Sequence, residues 1–228
     1  MLHAMATIFD CSDSGALLMG MRLARGAIGR GELVVMPTDT VYGVAADAFD
    51  PAAVQRLLDA KGRTRQSPPP VLIPGIPTLD ALTEEVPPEI RKLVDIFWPG
   101  ALTVILPARS SLHWDLGDTG GTVALRMPAN AYALELLAET GPLAVSSANL
   151  TGQPAATTAQ EAEEMLGESV SVYLDGGAAG ADASGVASTI IDATSLLIPG
   201  GELRIVREGA IPTAAIMEAL AEARGGLA

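Results

Sequence analysis

The 228-residue chain has one cysteine, two histidines and two lysines. A single Cys11 excludes an intrachain disulfide, and Cys11 with His3 and His113 cannot complete a Cys/His zinc cluster. Aromatic residues make up 4% of the chain, and 14 Lys plus Arg face 27 Asp plus Glu, for a formal net charge of -13. That balance supplies neither a broad basic face nor stacking platforms, so strong direct binding of nucleic acid is not expected. Any anion site has to be local. Long apolar runs are missing as well. The most apolar early stretch, 16–28, is broken by Arg22 and Arg25, so no membrane span is read. Residues 1–10 show no basic leader followed by an apolar run, and the expected location is the cytoplasm.

Familiar catalytic signatures are absent too. Neither Lys61 nor Lys92 stands in a GxxxxGK[ST] frame, and Gly176, Gly177 and Gly180 do not form GxGxxG after a strand. Ser146 and Ser147 follow a strand but lack the GxSxG elbow, and a Ser-His triad would have to recruit His3 or His113.

What is present is a large potential core and many turns. Hydrophobic residues account for 49% of the chain, with 24 Gly and 16 Pro. The length fits one large or two small domains. Helical periodicity is read at 14–28, 51–61, 79–82, 89–97, 132–139, 159–166 and 213–223. Strand-like runs are read at 32–36, 71–73, 102–106, 122–127, 143–147, 170–174, 188–192 and 203–206. Helix and strand alternate without a long linker, which predicts a single α/β domain over 1–228 built on a mixed sheet. The stretch 176–185 is read as a mobile glycine-rich loop.

The scarce positive charge is not evenly spread. Arg56, Lys61, Arg63 and Arg65 fall within ten positions. Basic residues commonly close a helix by complementing its dipole. Lys61, however, follows Leu57 by four and Val54 by seven, on the apolar stripe, where an ammonium has to snorkel out or meet an anion. The expectation adopted is an anion.

Polar loops fall at strand ends, where open α/β sheets collect ligands. They are Pro37-Thr38-Asp39-Thr40-Val41-Tyr42-Gly43, Ser146-Ser147-Ala148-Asn149, Arg126 at a strand terminus, and Ser188-Thr189. Each has an ordinary alternative: turn hydrogen bonds for the hydroxyls, a cap for Asn149, an ion pair for Arg126. Taken with the Lys61 patch they predict a pocket.

The motifs PTDTVYGV (37–44), KGR (61–63), FWPGALTVIL (97–106), GTVALRMP (121–128), SSANLTG (146–152) and STIID (188–192) resemble the threonylcarbamoyl-AMP synthase family, the TsaC/YrdC-like proteins. The likeness runs in order over about 32–209. It implies a YrdC-like fold, a twisted mixed sheet with flanking helices around a positively charged cavity. It also implies synthesis of threonylcarbamoyl-AMP and pyrophosphate from L-threonine, bicarbonate and ATP, for tRNA modification. Lys61, Arg63, Ser147 and Asn149 match the KxR and SxN signature and carry the implied catalytic roles. The implied ATP contacts are Lys61, Arg63, Ser67, Thr122, Ser147, Ala155 and Arg207. The implied threonine contacts are Thr38, Thr40, Tyr42, Arg126, Val145 and Ser188. No protein metal site is implied, Mg2+ being held mainly by ATP phosphates, and the expected partner is the tRNA threonylcarbamoyl-transfer machinery.

Two positions depart from the family. Leu72 stands where a histidine often binds threonine, and Arg207-Glu208-Gly209 replaces RPG. Alternatives are a non-catalytic RNA-binding module of the same fold and a carbamoyl-transfer protein of the hydrogenase-maturation type.

Overall fold

The computed structural model describes residues 7–180 and 185–225. Its strands are β1 (Thr7–Asp10), β2 (Val34–Met36), β3 (Gly43–Asp47), β4 (Val71–Leu72), β5 (Leu102–Pro107), β6 (Thr122–Arg126), β7 (Leu143–Ser147), β8 (Val172–Asp175), β9 (Thr189–Asp192) and β10 (Arg204–Arg207). The helices are α1 (Ser14–Gly29), α2 (Pro51–Lys61), α3 (Ile76–Leu82), α4 (Pro88–Phe97), α5 (Ala131–Thr140), α6 (Ala159–Leu166) and α7 (Thr213–Gly225). All ten strands join one mixed sheet in the order β1-β8-β2-β3-β7-β4-β6-β5-β9-β10. Among the described residues no helix is long and apolar enough to cross a membrane. The first six residues and 181–184, the middle of the expected glycine-rich loop, lie outside the described residues.

Helix ends follow local chemistry. Asp50 caps α2 by accepting from Ala52 N and Ala53 N, and Pro51 occupies the first turn, where a missing N–H costs nothing. The helix stops at Gly62, whose φ of 63° is left-handed, and this stop delivers Lys61 and Arg63 to the sheet. Thr158 and Glu161 cap each other at the start of α6.

The two halves of the sheet are covered differently. On β2, Val34 and Met36 pack with α1 and α5, whereas Val35, with Leu33 just before the strand, packs with α2 and α6. Both faces are therefore buried, which explains an apolar run without alternation. In the other half, Leu102, Val104, Leu106, Val123, Leu125 and Ile191 pack under α3, α4 and α7. The alternate residues Thr103, Arg126 and Ile190 face the opposite side, where they line a cleft. Only the two-residue β4, parallel to β6 and antiparallel to β7, joins the halves.

Two strands were not anticipated. β1 is four residues long and borders the sheet beside β8, with Thr7 opposite Val172. β3, GVAAD, has too few large or branched side chains to read as a strand, yet pairs along its whole length with β7. Its first residue needs to be glycine, because a Cβ at Gly43 would lie 2.6 Å from Val145 Cγ1. The predicted strand 203–206 is shifted by one residue, which places Arg207 inside β10. Gly43→Ala should lower the urea unfolding free energy by about 1–3 kcal/mol through overpacking between β3 and β7. An unchanged urea midpoint would contradict that close approach.

Candidate active site

The uncovered sheet face holds a cleft of about 250 Å3. Its walls include the β2–β3 turn with Thr38, Thr40 and Tyr42, and the β7 residues Val145, Ser146 and Ser147. Thr103, Arg126, Ser188 and Arg207 close the far side, with Arg63 entering from beyond α2. Thus Arg63, Ser147, Ala155, Arg207, Thr38, Thr40, Tyr42, Arg126, Val145 and Ser188, all singled out from sequence, come together. Thr122 lines an adjoining groove that shares Pro68, Pro70 and Ile190 with the cleft. Ser67 is an exposed turn residue and is brought to neither space.

Arg126 is almost wholly buried, and each guanidinium nitrogen has a partner. Nε donates to Gly100 O at 2.9 Å, Nη1 to Thr40 Oγ1 at 3.0 Å and Nη2 to Asp39 Oδ1 at 2.7 Å. Burial pulls its pKa down and Asp39 opposes that pull. The ion-pair alternative considered for Arg126 is therefore realised, and Asp39 also accepts from Ala129 N. Thr38 Oγ1 donates to Val41 O at 2.6 Å, accepts from Thr40 N and Val41 N at 3.2 and 3.3 Å, and stands 3.1 Å from Thr40 Oγ1. Arg126 fills one lone pair of Thr40 Oγ1, which keeps the other for a donor in the cleft.

Arg63 and Arg207 are placed differently. Arg63 Nη1 donates to Ser146 Oγ at 3.0 Å, and Arg207 holds Ser188 O through Nε and Nη2 at 3.1 and 2.6 Å. Among the described residues neither has a salt-bridged carboxylate. Burial lowers the pKa of both, and the charges of Arg126 and Arg63 lower that of Arg207 further. Three crowded cations with one acid between them make a local anion site on an acidic protein.

The basic patch expected around α2 divides. Arg65 pairs with Asp115 and Asp118, and Arg56 donates to Gly31 O, so neither faces the cleft. Lys61, 1% exposed, meets neutral oxygens where an anion was expected. Its Nζ donates to Ser147 O, to Asn149 O at 2.6 Å and to Asn149 Oδ1 at 3.4 Å. Asn149 in turn donates through Nδ2 to Leu150 O and Gln153 O, both at 2.8 Å. Lys61 and Asn149 thus hold the SxN loop from beneath, which follows from an ammonium buried at a helix end with three hydrogens to place.

The Tyr42 hydroxyl, expected beside threonine, is tied to Gly177 O at 2.5 Å and Asp175 Oδ1 at 3.2 Å. Leu72 forms an apolar wall of the cleft with Pro70 and Val145. Glu208 accepts from Thr213 N at 3.1 Å and from Thr213 Oγ1, so the departure from RPG supports the start of α7. Sequence reasoning missed Thr103 as a site residue and gave Asp39 and Ser146 no role beyond their polar loops. Each lay inside a recognised motif, but only pairing across the sheet reveals its partner.

The profile of the Sua5/YciO/YrdC family, described as telomere recombination, matches residues 26–209. The chain belongs to this family. A Mycobacterium leprae relative, provisionally named a threonylcarbamoyl-AMP synthase, is 50% identical over 216 residues, covering 95% of this chain and 94% of its own. The threonylcarbamoyl-AMP synthase of Pyrococcus abyssi is 41% identical over 188 residues, 79% of this chain and 54% of its own. Pyrococcus abyssi Sua5 in complex with L-threonine superposes with a TM-score of 0.81 at 34% identity, over 93% of this chain and 60% of that one. The family resemblance read from the motifs is borne out, as is the mixed α/β fold.

Burial, with the neighbouring Arg63 charge, draws the Lys61 pKa down from 10.5 to about 7. Between those values the folded chain binds fewer protons than the unfolded one, so the unfolding free energy rises with pH across that window. Lys61→Met removes the group. The difference in unfolding free energy, wild type minus variant, should therefore grow from about pH 7 to about pH 9.5 in urea titrations. A difference flat with pH would leave Lys61 unperturbed.

Proposed function

We propose that this chain is an L-threonylcarbamoyladenylate synthase, a nucleotidyltransferase that forms threonylcarbamoyl-AMP and pyrophosphate from L-threonine, bicarbonate and ATP. The observation that carries the reading is the convergence of Arg63, Arg126 and Arg207 on one hydroxyl-lined cleft, in a chain aligned almost end to end with a relative of that name.

The residues suit the chemistry. Arg126, its charge partly met by Asp39, holds the threonine carboxylate, and the free lone pair of Thr40 accepts an N–H of the substrate amine. The amine and CO2 derived from bicarbonate give a carbamate. Its oxygen forms a bond to the ATP α-phosphorus while the bond to pyrophosphate breaks, with no enzyme nucleophile. Two anions have to be brought together, and Arg63 and Arg207 offset their repulsion. Lys61 and Asn149 act by holding the Ser147 loop in register with Arg63. Thr122 and the apolar groove beside it extend the cleft for the nucleoside.

Magnesium enters with the nucleotide as substrate. The cleft offers hydroxyls and guanidinium groups, and one oxygen of Asp39 already carries Arg126 and Ala129. Such a donor set suits the phosphates of MgATP better than a resident metal. The labile adenylate has to be consumed by a tRNA threonylcarbamoyl-transfer machinery, in the cytoplasm.

Incubation with ATP, Mg2+ and bicarbonate should release pyrophosphate only when L-threonine is added. Lys61→Ala and Arg63→Ala should reduce that release by about 100-fold or more, while Arg126→Lys should chiefly raise the KM for threonine, because lysine has no two-pronged contact. Threonine-independent release, or tight RNA binding with no release, would overturn the reading.

A further inference from the structure

Thr103 belongs to a motif read as an apolar strand, and no substrate contact is assigned to it. It is 1% exposed, yet its side chain lies on the uncovered face of β5 and borders the cleft. Its Oγ1 stands 2.9 Å from Ser188 Oγ. Ser188 Oγ also receives a hydrogen from Arg207 Nη2 at 3.2 Å.

The hydrogens on this cluster can be counted. A serine or threonine hydroxyl has one hydrogen and two lone pairs, and a guanidinium only donates. Arg207 therefore occupies one lone pair of Ser188. Among the described residues Thr103 and Ser188 own two hydrogens and spend one between them, so one remains for the cleft. If Ser188 donated to Thr103, it would turn its last lone pair towards the cleft, and the spare hydrogen would sit on the nearly inaccessible Thr103. A lone pair aimed at an anionic ligand is repulsive, and this cleft, with Arg63, Arg126 and Arg207 on its walls, is built for anions. If Thr103 donates, both lone pairs of Ser188 are filled, and its only remaining hydrogen bond is a donation into the cleft.

We propose that Thr103 is a positioning residue that donates to Ser188 and thereby commits the Ser188 hydrogen to an anionic oxygen of the substrate. On the synthase reading, on which this assignment rests, that oxygen belongs to the threonine carboxylate. Ser188 then donates from its wall, while Thr40 on the opposite wall keeps a lone pair for the amine of an amino acid.

The test is calorimetric titration with L-threonine and, separately, with ATP. Thr103→Val keeps the shape and removes the donor, and should weaken L-threonine binding by about tenfold while leaving ATP binding unchanged. Thr103→Ser should restore threonine binding. In a Ser188→Ala background, Thr103→Val should add no further loss, since its effect passes through Ser188. Threonine binding unaltered by Thr103→Val, or an equal loss with and without Ser188, would overturn the assignment and leave the synthase reading standing. Wild-type protein that binds no L-threonine would overturn both.

Discussion

Guanidinium groups packed close together repel one another, and burial removes the water that would screen them. Arg63, Arg126 and Arg207 are in this position, and much of the architecture around the cleft serves to hold them there. Asp39 answers Arg126, the carbonyl of Ser188 answers Arg207, and the hydroxyl of Ser146 answers Arg63. Only the first is a full counter-charge. The remaining imbalance is what an anionic substrate relieves, so the same repulsion that burdens the empty fold favours the occupied one. The chain's net charge of -13 does not conflict with this. Arg25, Arg30, Arg65, Arg91, Arg204 and Arg224 pair with carboxylates away from the cleft, whereas among the described residues the cleft arginines have one carboxylate among them.

The loops are positioned through neutral oxygens. Lys61 is the clearest example: a cation in the signature motif whose ammonium organises two backbone carbonyls and an amide oxygen. Tyr42 similarly turns its hydroxyl towards Asp175 and Gly177 and joins the β2–β3 turn to the loop after β8. Lys61 acts one layer away from the cleft, and Tyr42 from its wall.

This layering explains which parts were legible in the sequence. The Asp50-Pro51 start and Gly62 stop of α2 are local signals and were readable. So were the hydroxyl-rich loops at strand ends, because their motifs are contiguous. β3 escaped because its small residues owe their strand conformation to pairing with β7 and β2. Asp39 sat in plain view within PTDT, but its partner Arg126 is 87 residues away and reaches it only through the sheet order. Lys61 was correctly placed on the buried stripe, but sequence spacing carries no information about which oxygens its ammonium would meet.

The two halves of the sheet meet through β4, two residues long. Thr38, Thr40, Ser146 and Ser147 belong to one half; Thr103, Arg126, Ser188 and Arg207 belong to the other. The Arg126 contacts with Asp39 and Thr40 therefore clasp the molecule across the two-residue β4. A ligand gripping both walls does the same, and its binding free energy becomes cohesion between the halves. A ligand that spans the cleft and binds only the folded chain would therefore strengthen the seam at β4 in proportion to the logarithm of its concentration.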